Sequence, residues 1–228
     1  MSDTLRVQVE LGPKGKKQVA VAPDWPGLSR GGKTEEAAIE TLLAYLPRYA
    51  PIAEAAGFGD TFGQLTDVGE VVRYPGVGST DFWGISFAFS EFDHSPMSDD
   101  DLERNLTILQ TCWAWFDAVG ERVSPDLRLG PRGGGRNREQ VIRHTLFSEQ
   151  EMRRKIGFPK PERTLAEPAE RDAGRAEYLA AIRAYHAEGR MAKNWPLRYL
   201  IRHTAFHSLD HGWEMEDRDL TNVEQPAS

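Results

Sequence analysis

The sequence predicts a small α+β domain at residues 1–96, an up-and-down bundle of four helices at residues 97–220 and a disordered tail at residues 221–228. Before residue 96, short apolar runs alternate with Gly and Pro turns, which is typical of strands. After residue 96, apolar residues recur at spacings of three and four between capping residues, which is typical of amphipathic helices. Four helices in about 120 residues favour a bundle.

The first elements are predicted to be a hairpin and a helix. Leu5–Leu11 and Gln18–Ala22 flank a Gly-Pro-Lys-Gly turn and predict two paired strands. Residues 24–29 are interpreted as a loop. Thr34 then supplies a capping oxygen for a helix, which we expect Pro47 and Pro51 to end or kink.

Two further strands complete the predicted first domain. Glu70–Tyr74 is one candidate, and Phe82–Phe89, which has apolar residues at alternating positions, is the other. The resulting order is β-β-α-β-β. This order indicates an α+β domain.

The predicted bundle helices are defined by caps and breakers. Ser98 and the acidic residues after it begin the first helix, whose apolar positions include Leu102, Leu106 and Trp113. The other three run from Arg138 to Ile156, from Arg171 to Glu188, and onward from Pro196, with a long connection at Pro159–Pro168.

Composition excludes several classes of protein. The chain has 228 residues, of which 39% are hydrophobic and 28% charged, as expected for a globular protein. A net charge of −7 gives no long-range attraction to nucleic acid, so we expect no such partner. No apolar run is long enough for a membrane span, and the start lacks a secretory signal, so a cytoplasmic location is expected. Cys112 is the single cysteine, which excludes an internal disulfide.

Three histidines near the C-terminus form the strongest candidate site. His203, His207 and His211 are four residues apart, so neighbours share one helix face. The span of the three is about 12 Å, too long for one ion. On a helical wheel His211 lies nearest the apolar side and His203 furthest from it, which favours His207 and His211 as ligands. Surface histidines without a metal remain the alternative.

A third ligand is expected from a facing helix, because bundle cores build their metal sites in this way. His144 on the second helix is the best candidate. Glu149 lies within that helix's apolar stripe and needs a partner, since an unpaired buried carboxylate is costly. The partner could be the metal, an imidazole or an arginine; a salt bridge to a neighbouring helix is the structural alternative.

The phrases His144-x4-Glu149 and His207-x3-His211, in four helices with a long second connection, resemble the DinB-like superfamily, also called YfiT-like. The resemblance covers about residues 98–218. It implies a divalent metal, zinc or nickel, held by His144, His207 and His211. It also implies a thiol-dependent transferase or a metal-dependent hydrolase. Many members have His-Arg-Gly after the last ligand, whereas this chain has His211-Gly212-Trp213.

The N-terminal part resembles the HicB-type antitoxin fold over about residues 5–57. The similarity lies in the strand Val19–Ala22, the Pro-Gly loop after Trp25, and the helix that begins at Thr34-Glu35-Glu36-Ala37. It implies a β-β-α-β topology. It does not by itself imply an antitoxin function.

Three ligands with an open coordination position are typical of a catalytic metal site. Hydrolysis through a bound water and transfer of a low-molecular-weight thiol are both compatible with it, and the DinB resemblance favours the thiol. Asp210 or Glu214 is predicted to orient an imidazole or act as a base. Ordinary surface ion pairs are the alternative for these two carboxylates.

A glycine-rich loop precedes the second bundle helix. Backbone N–H groups there, with Arg132 and Arg136, are predicted to hold an anion such as the carboxylate of a thiol cofactor. A flexible connector is the alternative. We therefore expect a small-molecule substrate or thiol as the partner, and a homodimer remains open. The rival function is a binding or regulatory protein with a HicB-like interaction domain.

Overall fold

The computed structural model describes residues 4–65, 67–130, 134–159 and 166–221. The described residues form two compact units. Unit 1 lies within Met1–Thr111 and Asn194–Phe206, and unit 2 lies within Cys112–Lys193 and His207–Ser228. The domain boundary at residue 96 stays a prediction, and residues 222–228 of the predicted tail lie outside the described residues.

A mixed four-stranded sheet near the N-terminus is followed mostly by helices, so the predicted α+β layout is confirmed. The strand order is β3-β2-β1-β4, with β1 antiparallel to β2, β2 antiparallel to β3, and β4 parallel to β1. The strands are β1 (Thr4–Leu11), β2 (Gln18–Val21), β3 (Ser29–Gly32) and β4 (Asp67–Pro75). Because β4 is parallel to β1, the chain must cross over between them, and three helices lie in that connection.

The predicted hairpin is confirmed, and its register pairs Gln8 with Val21. The third strand was not predicted. It begins at Ser29, the last residue of the predicted loop, and contains Gly31 and Gly32. A Cβ on Gly32 would lie 2.3 Å from the backbone nitrogen of Ala38, so glycine allows the strand to pack closely against the following helix.

The described residues of unit 1 include five short helices, which are α1 (Glu35–Ala44), α2 (Leu46–Ala55), α3 (Gly59–Gly63), α4 (Gly78–Trp83) and α5 (Glu91–His94). The predicted helix start is confirmed, since Thr34 Oγ1 accepts a hydrogen bond from the backbone N–H of Ala37. Pro47 lies in the first turn of α2, where proline removes no helical hydrogen bond, while Pro51 lies inside α2.

The predicted strand at Phe82–Phe89 is wrong, because this segment contains the end of α4 followed by irregular chain. Within the segment, the backbone N–H of Phe87 donates to the carboxylate of Glu10 at 3.1 Å, where a strand would donate to the backbone of its neighbour. The alternating pattern also misleads because Phe82 is 68% exposed.

The four predicted C-terminal helices are present as α6 (Asp99–Arg122), α7 (Arg138–Arg153), α8 (Pro168–Ala187) and α9 (Leu197–Asp217). A short 3-10 turn at Arg154–Ile156 extends α7 to Gly157, whose φ of 98° suits glycine at a helix end. Both α6 and α9 contribute residues to each unit. Of the connection predicted at Pro159–Pro168, residues 160–165 lie outside the described residues.

In unit 2, side chains from α6, α7, α8 and α9 contact one another. Phe116 of α6, Val141 of α7 and Met215 of α9 belong to one buried apolar cluster. Trp113 of α6 contacts Tyr178 of α8, with ring centroids 6.2 Å apart. The apolar residues that recur at helical spacing in the sequence therefore lie on the helix faces that pack together in unit 2.

A buried polar network connects α9 to β1 and α5 within unit 1. Arg202 donates to both carboxylate oxygens of Asp93 at 2.8 Å and to the hydroxyl of Ser86 at 3.0 Å. Ser86 in turn donates to Glu10 at 2.7 Å, and Glu10 also accepts from Tyr74 at 3.1 Å. All five side chains are buried. The irregular chain after α4 is thus held by charge pairing rather than by a strand ladder.

We expect Asp93→Asn to lower the free energy of unfolding by about 3–5 kcal/mol at neutral pH, because Arg202 is left as a buried charge without its carboxylate. Burial opposes ionisation of Asp93, but Arg202 outweighs burial and holds the pKa of this carboxyl below its usual value. The stabilisation is therefore present above the unfolded pKa of about 3.9 and is lost as the pH falls through the folded pKa. Urea denaturation of both proteins across this range measures the difference.

The matched control is Arg122→Gln, which removes an exposed ion pair with Glu216. We expect it to cost at most about 1 kcal/mol. An Asp93→Asn difference that stayed constant on acidification would contradict the role of the ionised pair.

Candidate metal centre

The site begins with two histidines one turn apart on α9. His207 and His211 have ring centroids 4.6 Å apart. Both side chains are half-buried. The four-residue spacing therefore places both rings on one helix face, as predicted from the sequence.

His144 of α7 completes the cluster. Its ring centroid lies 5.2 Å from that of His207 and 4.9 Å from that of His211. One nitrogen from each ring can be chosen so that the three lie within 4.8 Å of one another. The structure thus brings together the three residues that were predicted from the sequence to be metal ligands.

This geometry fits a transition-metal ion. An equilateral triangle with 4.8 Å sides has its centre about 2.8 Å from each corner, so each imidazole has to move by only about 0.7 Å to reach a zinc–nitrogen distance of about 2.1 Å. Small side-chain rotations provide such a shift. Three neutral imidazoles are also ligands that zinc and nickel accept.

The helices that carry the histidines, α7 and α9, have closely packed side chains next to the site. Val141 and Met215, one turn from His144 and His211 respectively, both belong to the apolar cluster of unit 2. Gly212 directly follows His211 and faces Trp115, where a Cβ would lie 2.2 Å from the indole. A larger residue at position 212 would move α9 relative to that indole. The glycine is thus a packing requirement next to the site.

Glu214 lies one turn beyond His211 and binds it. His211 Nδ1 and Glu214 Oε2 are 2.7 Å apart, which leaves Nε2 of His211 to face a metal ion. The other carboxylate oxygen accepts from Arg218 at 2.7 Å. The hydrogen bond to His211 lowers the pKa of Glu214, and Arg218 lowers it further against the effect of burial. A carboxylate that orients a ligating imidazole is common at metal sites.

Burial and nearby charges both act on His144. Burial lowers the pKa of His144, and the nearby charges of Arg136 and His211 lower it further. A low pKa favours the neutral imidazole, which is the form that binds metal. Arg136 is therefore close enough to influence the site. Its side chain is exposed, whereas its backbone carbonyl accepts a hydrogen bond from Arg218 at 2.8 Å.

His203 belongs to unit 1 and is not grouped with the three histidines. It stacks on Tyr199 with an interplanar angle of 16° and lies 3.3 Å from the Tyr199 hydroxyl. The helical wheel put His203 furthest from the apolar side, but it is only 8% exposed and is more buried than either ligand candidate. The wheel fails here because residues 199–206 of α9 are buried on every face.

Glu149 is not brought to the histidines. It forms a two-oxygen ion pair with Arg175 of α8, and Arg175 also donates to Asp117 of α6 at 2.6 Å. Burial raises the pKa of Glu149, while Arg175 opposes that change. Glu149 therefore forms a salt bridge to a neighbouring helix, which is the structural alternative to a role at the metal.

Two further predicted site residues, Asp210 and Arg132, are not found at the histidine cluster in the part of the chain that the structure describes. Asp210 is half-buried on α9 and is not grouped with the three histidines. Arg132 lies outside the described residues. Sequence analysis missed Arg218, although its spacing of four residues from Glu214 is a recognisable helical pair.

Comparison with protein-family models, with curated proteins and with solved structures gave no match for this chain. The site must therefore be interpreted from its own geometry. Among the described residues, no helix is both long and apolar enough to cross a membrane.

We expect Glu214→Gln to weaken zinc binding by about 10–100-fold, because the amide no longer provides a charged partner for the His211 imidazole. Competition with a chromogenic chelator measures the change in affinity. Glu216→Gln, two residues further along α9, is the matched control and should leave the affinity unchanged. Equal effects of the two substitutions would contradict an orienting role for Glu214.

Proposed function

We propose that this protein binds one divalent metal ion, zinc or nickel, through His144, His207 and His211. The single observation that carries the proposal is the convergence of three imidazoles from two helices, with nitrogens within 4.8 Å of one another. A cluster of this kind brings together the ligand number and ligand type of an open metal site.

The fold that we propose for residues 97–220 is a DinB-like four-helix bundle. The pairwise contacts among α6, α7, α8 and α9 in unit 2 support it. For the N-terminal part we propose a HicB-like domain. Its support is the β1–β2 hairpin and the helix that Thr34 caps, although the additional strand β3 lies between them and is not part of the implied β-β-α-β order.

We further propose an enzymatic function, either thiol-dependent S-transfer or metal-dependent hydrolysis of a small-molecule substrate. A bound ion would supply Lewis acidity, which activates water for hydrolysis or a low-molecular-weight thiol for transfer. Three protein ligands leave room in the coordination sphere for that second reactant. The thiol reaction is preferred on the DinB resemblance.

The protein's own residues have distinct roles in this proposal. Glu214 orients His211 and is held in turn by Arg218, so the ligand ring keeps one orientation. Arg136 adds positive charge near His144. An anionic group on the substrate or thiol, such as a carboxylate, would be attracted to that charge.

Metal analysis tests the binding proposal. We expect purified protein to contain about one equivalent of divalent metal, and we expect His144→Ala, His207→Ala and His211→Ala each to lose it. His203→Ala and the exposed-site control His94→Ala should retain it. Elemental analysis, with circular dichroism as the folding check, measures both properties.

Wild-type protein that contains no metal and does not bind added metal would contradict the metal assignment. It would favour the rival function, a binding or regulatory protein with a HicB-like interaction domain. Loss of metal in His203→Ala but not in His211→Ala would likewise contradict the ligand set.

Activity of the metal-loaded protein tests the thiol reaction. We expect consumption of bacillithiol, mycothiol or glutathione in the presence of an electrophile from a small panel. This turnover should be lost in His207→Ala and kept in His94→Ala. Absence of turnover with all three thiols would reject S-transfer with these thiols, and ester or amide hydrolysis would then be assayed in the same variants.

A further inference from the structure

A cleft in unit 1 has the size and lining of a small-molecule site. Its volume is about 470 Å³, within the range of about 300–1,000 Å³ typical of ligand pockets. Leu5, Trp25 and Leu65 provide apolar walls, and Thr61 adds a hydroxyl group. The cleft belongs entirely to unit 1, so it is independent of the histidine cluster in unit 2.

Five charged side chains line this cleft, and most of them are already paired. Arg6 forms a two-oxygen ion pair with Asp24. Asp101 accepts from Arg198 at 3.3 Å. These pairs neutralise two of the lining carboxylates, and they fix Asp24 against Arg6.

Arg104 is the cationic lining residue without a carboxylate partner among the described residues. Its guanidinium donates to the backbone carbonyl of Asp24 at 2.5 Å. It lies over the rings of Trp25 and Phe58, at 4.5 Å and 4.9 Å from their centroids. A guanidinium has five N–H donors in a planar fork, so these contacts orient it and leave donors for a ligand.

Burial is costly for this guanidinium. Desolvation lowers the pKa of Arg104 despite the negative charges nearby. The negative charges nearby are not in hydrogen-bonding contact with Arg104, whereas an incoming carboxylate could bind two of its N–H groups side by side.

Glu70 of β4 is the complementary group. It is exposed at the cleft and forms no ion pair within hydrogen-bonding distance in the part of the chain that the structure describes. Its charge does act on Arg6 from a distance. A ligand with only negative charge would be repelled by Glu70, whereas a ligand that also carries an ammonium group would be attracted to it.

We propose that this cleft binds a small zwitterion of the amino-acid type, with its carboxylate on Arg104, its ammonium group toward Glu70 and its side chain along the apolar wall at Trp25. Arg104 selects the carboxylate because its donor fork is aligned by two aromatic rings. Glu70 then distinguishes amino acids from simple organic acids.

Binding to the intact protein tests this site. The twenty L-amino acids are screened by thermal shift, and the strongest is titrated by calorimetry beside two analogues, one lacking the ammonium group and one lacking the carboxylate. We expect both analogues to bind at least about tenfold more weakly, since each loses a charged hydrogen bond.

The variants separate the two contacts. Arg104→Gln should lower the affinity for the amino acid by about tenfold or more. Glu70→Gln should also lower this affinity, but it should leave the affinity for the analogue without an ammonium group unchanged. Glu40→Gln, an exposed substitution on α1, is the control and should change nothing. Because Glu70 is exposed, its variant is expected to fold even if Arg104→Gln does not.

Two results would overturn the proposal. One is the absence of binding by all twenty amino acids. The other is equal binding of the amino acid and its analogue without an ammonium group, because a zwitterion would then not be required. Neither result depends on metal content, so failure here is distinguishable from failure of the metal assignment.

Discussion

The need to pair buried charge constrains both compact units. In unit 1, Arg202 is enclosed and binds Asp93, and this pair holds the irregular chain around Ser86 in place. In unit 2, Arg175 of α8 is buried between carboxylates from two other helices, Glu149 and Asp117. A buried guanidinium is tolerated only where its carboxylates converge, so each network limits the ways in which its neighbours can pack. Apolar burial stabilises the units, whereas these pairs help to select one arrangement.

The histidine cluster has a different electrostatic character. Its three imidazoles are half-buried, and the carboxylate of Glu214 is held between His211 and Arg218. Arg136 adds positive charge near His144, and Glu214 adds negative charge. The cluster therefore combines neutral imidazoles with charges of both signs, in contrast to the buried ion pairs of Arg202 and Arg175.

Sequence patterns predicted the helices better than the irregular parts of unit 1. Caps and apolar spacing located α6 to α9, because both signals act within a few residues of each other. The segment Phe82–Phe89 alternates like a strand, yet its hydrogen bonds go to the carboxylate of Glu10, which is distant in sequence. The short strand β3 was missed because its glycines signal a turn unless a helix packs against them.

The sequence by itself determined which residues could bind a metal, since the four-residue spacing of His207 and His211 is a local property of one helix. It also indicated His144 as the partner from a second helix. Tertiary structure alone decided the contacts of the remaining charged groups. Glu149 faces Arg175 rather than the histidines, and His203 is enclosed by aromatic rings although the helical wheel turned it outward. Periodicity describes one face of one helix, whereas these contacts depend on which helix or loop covers every other face.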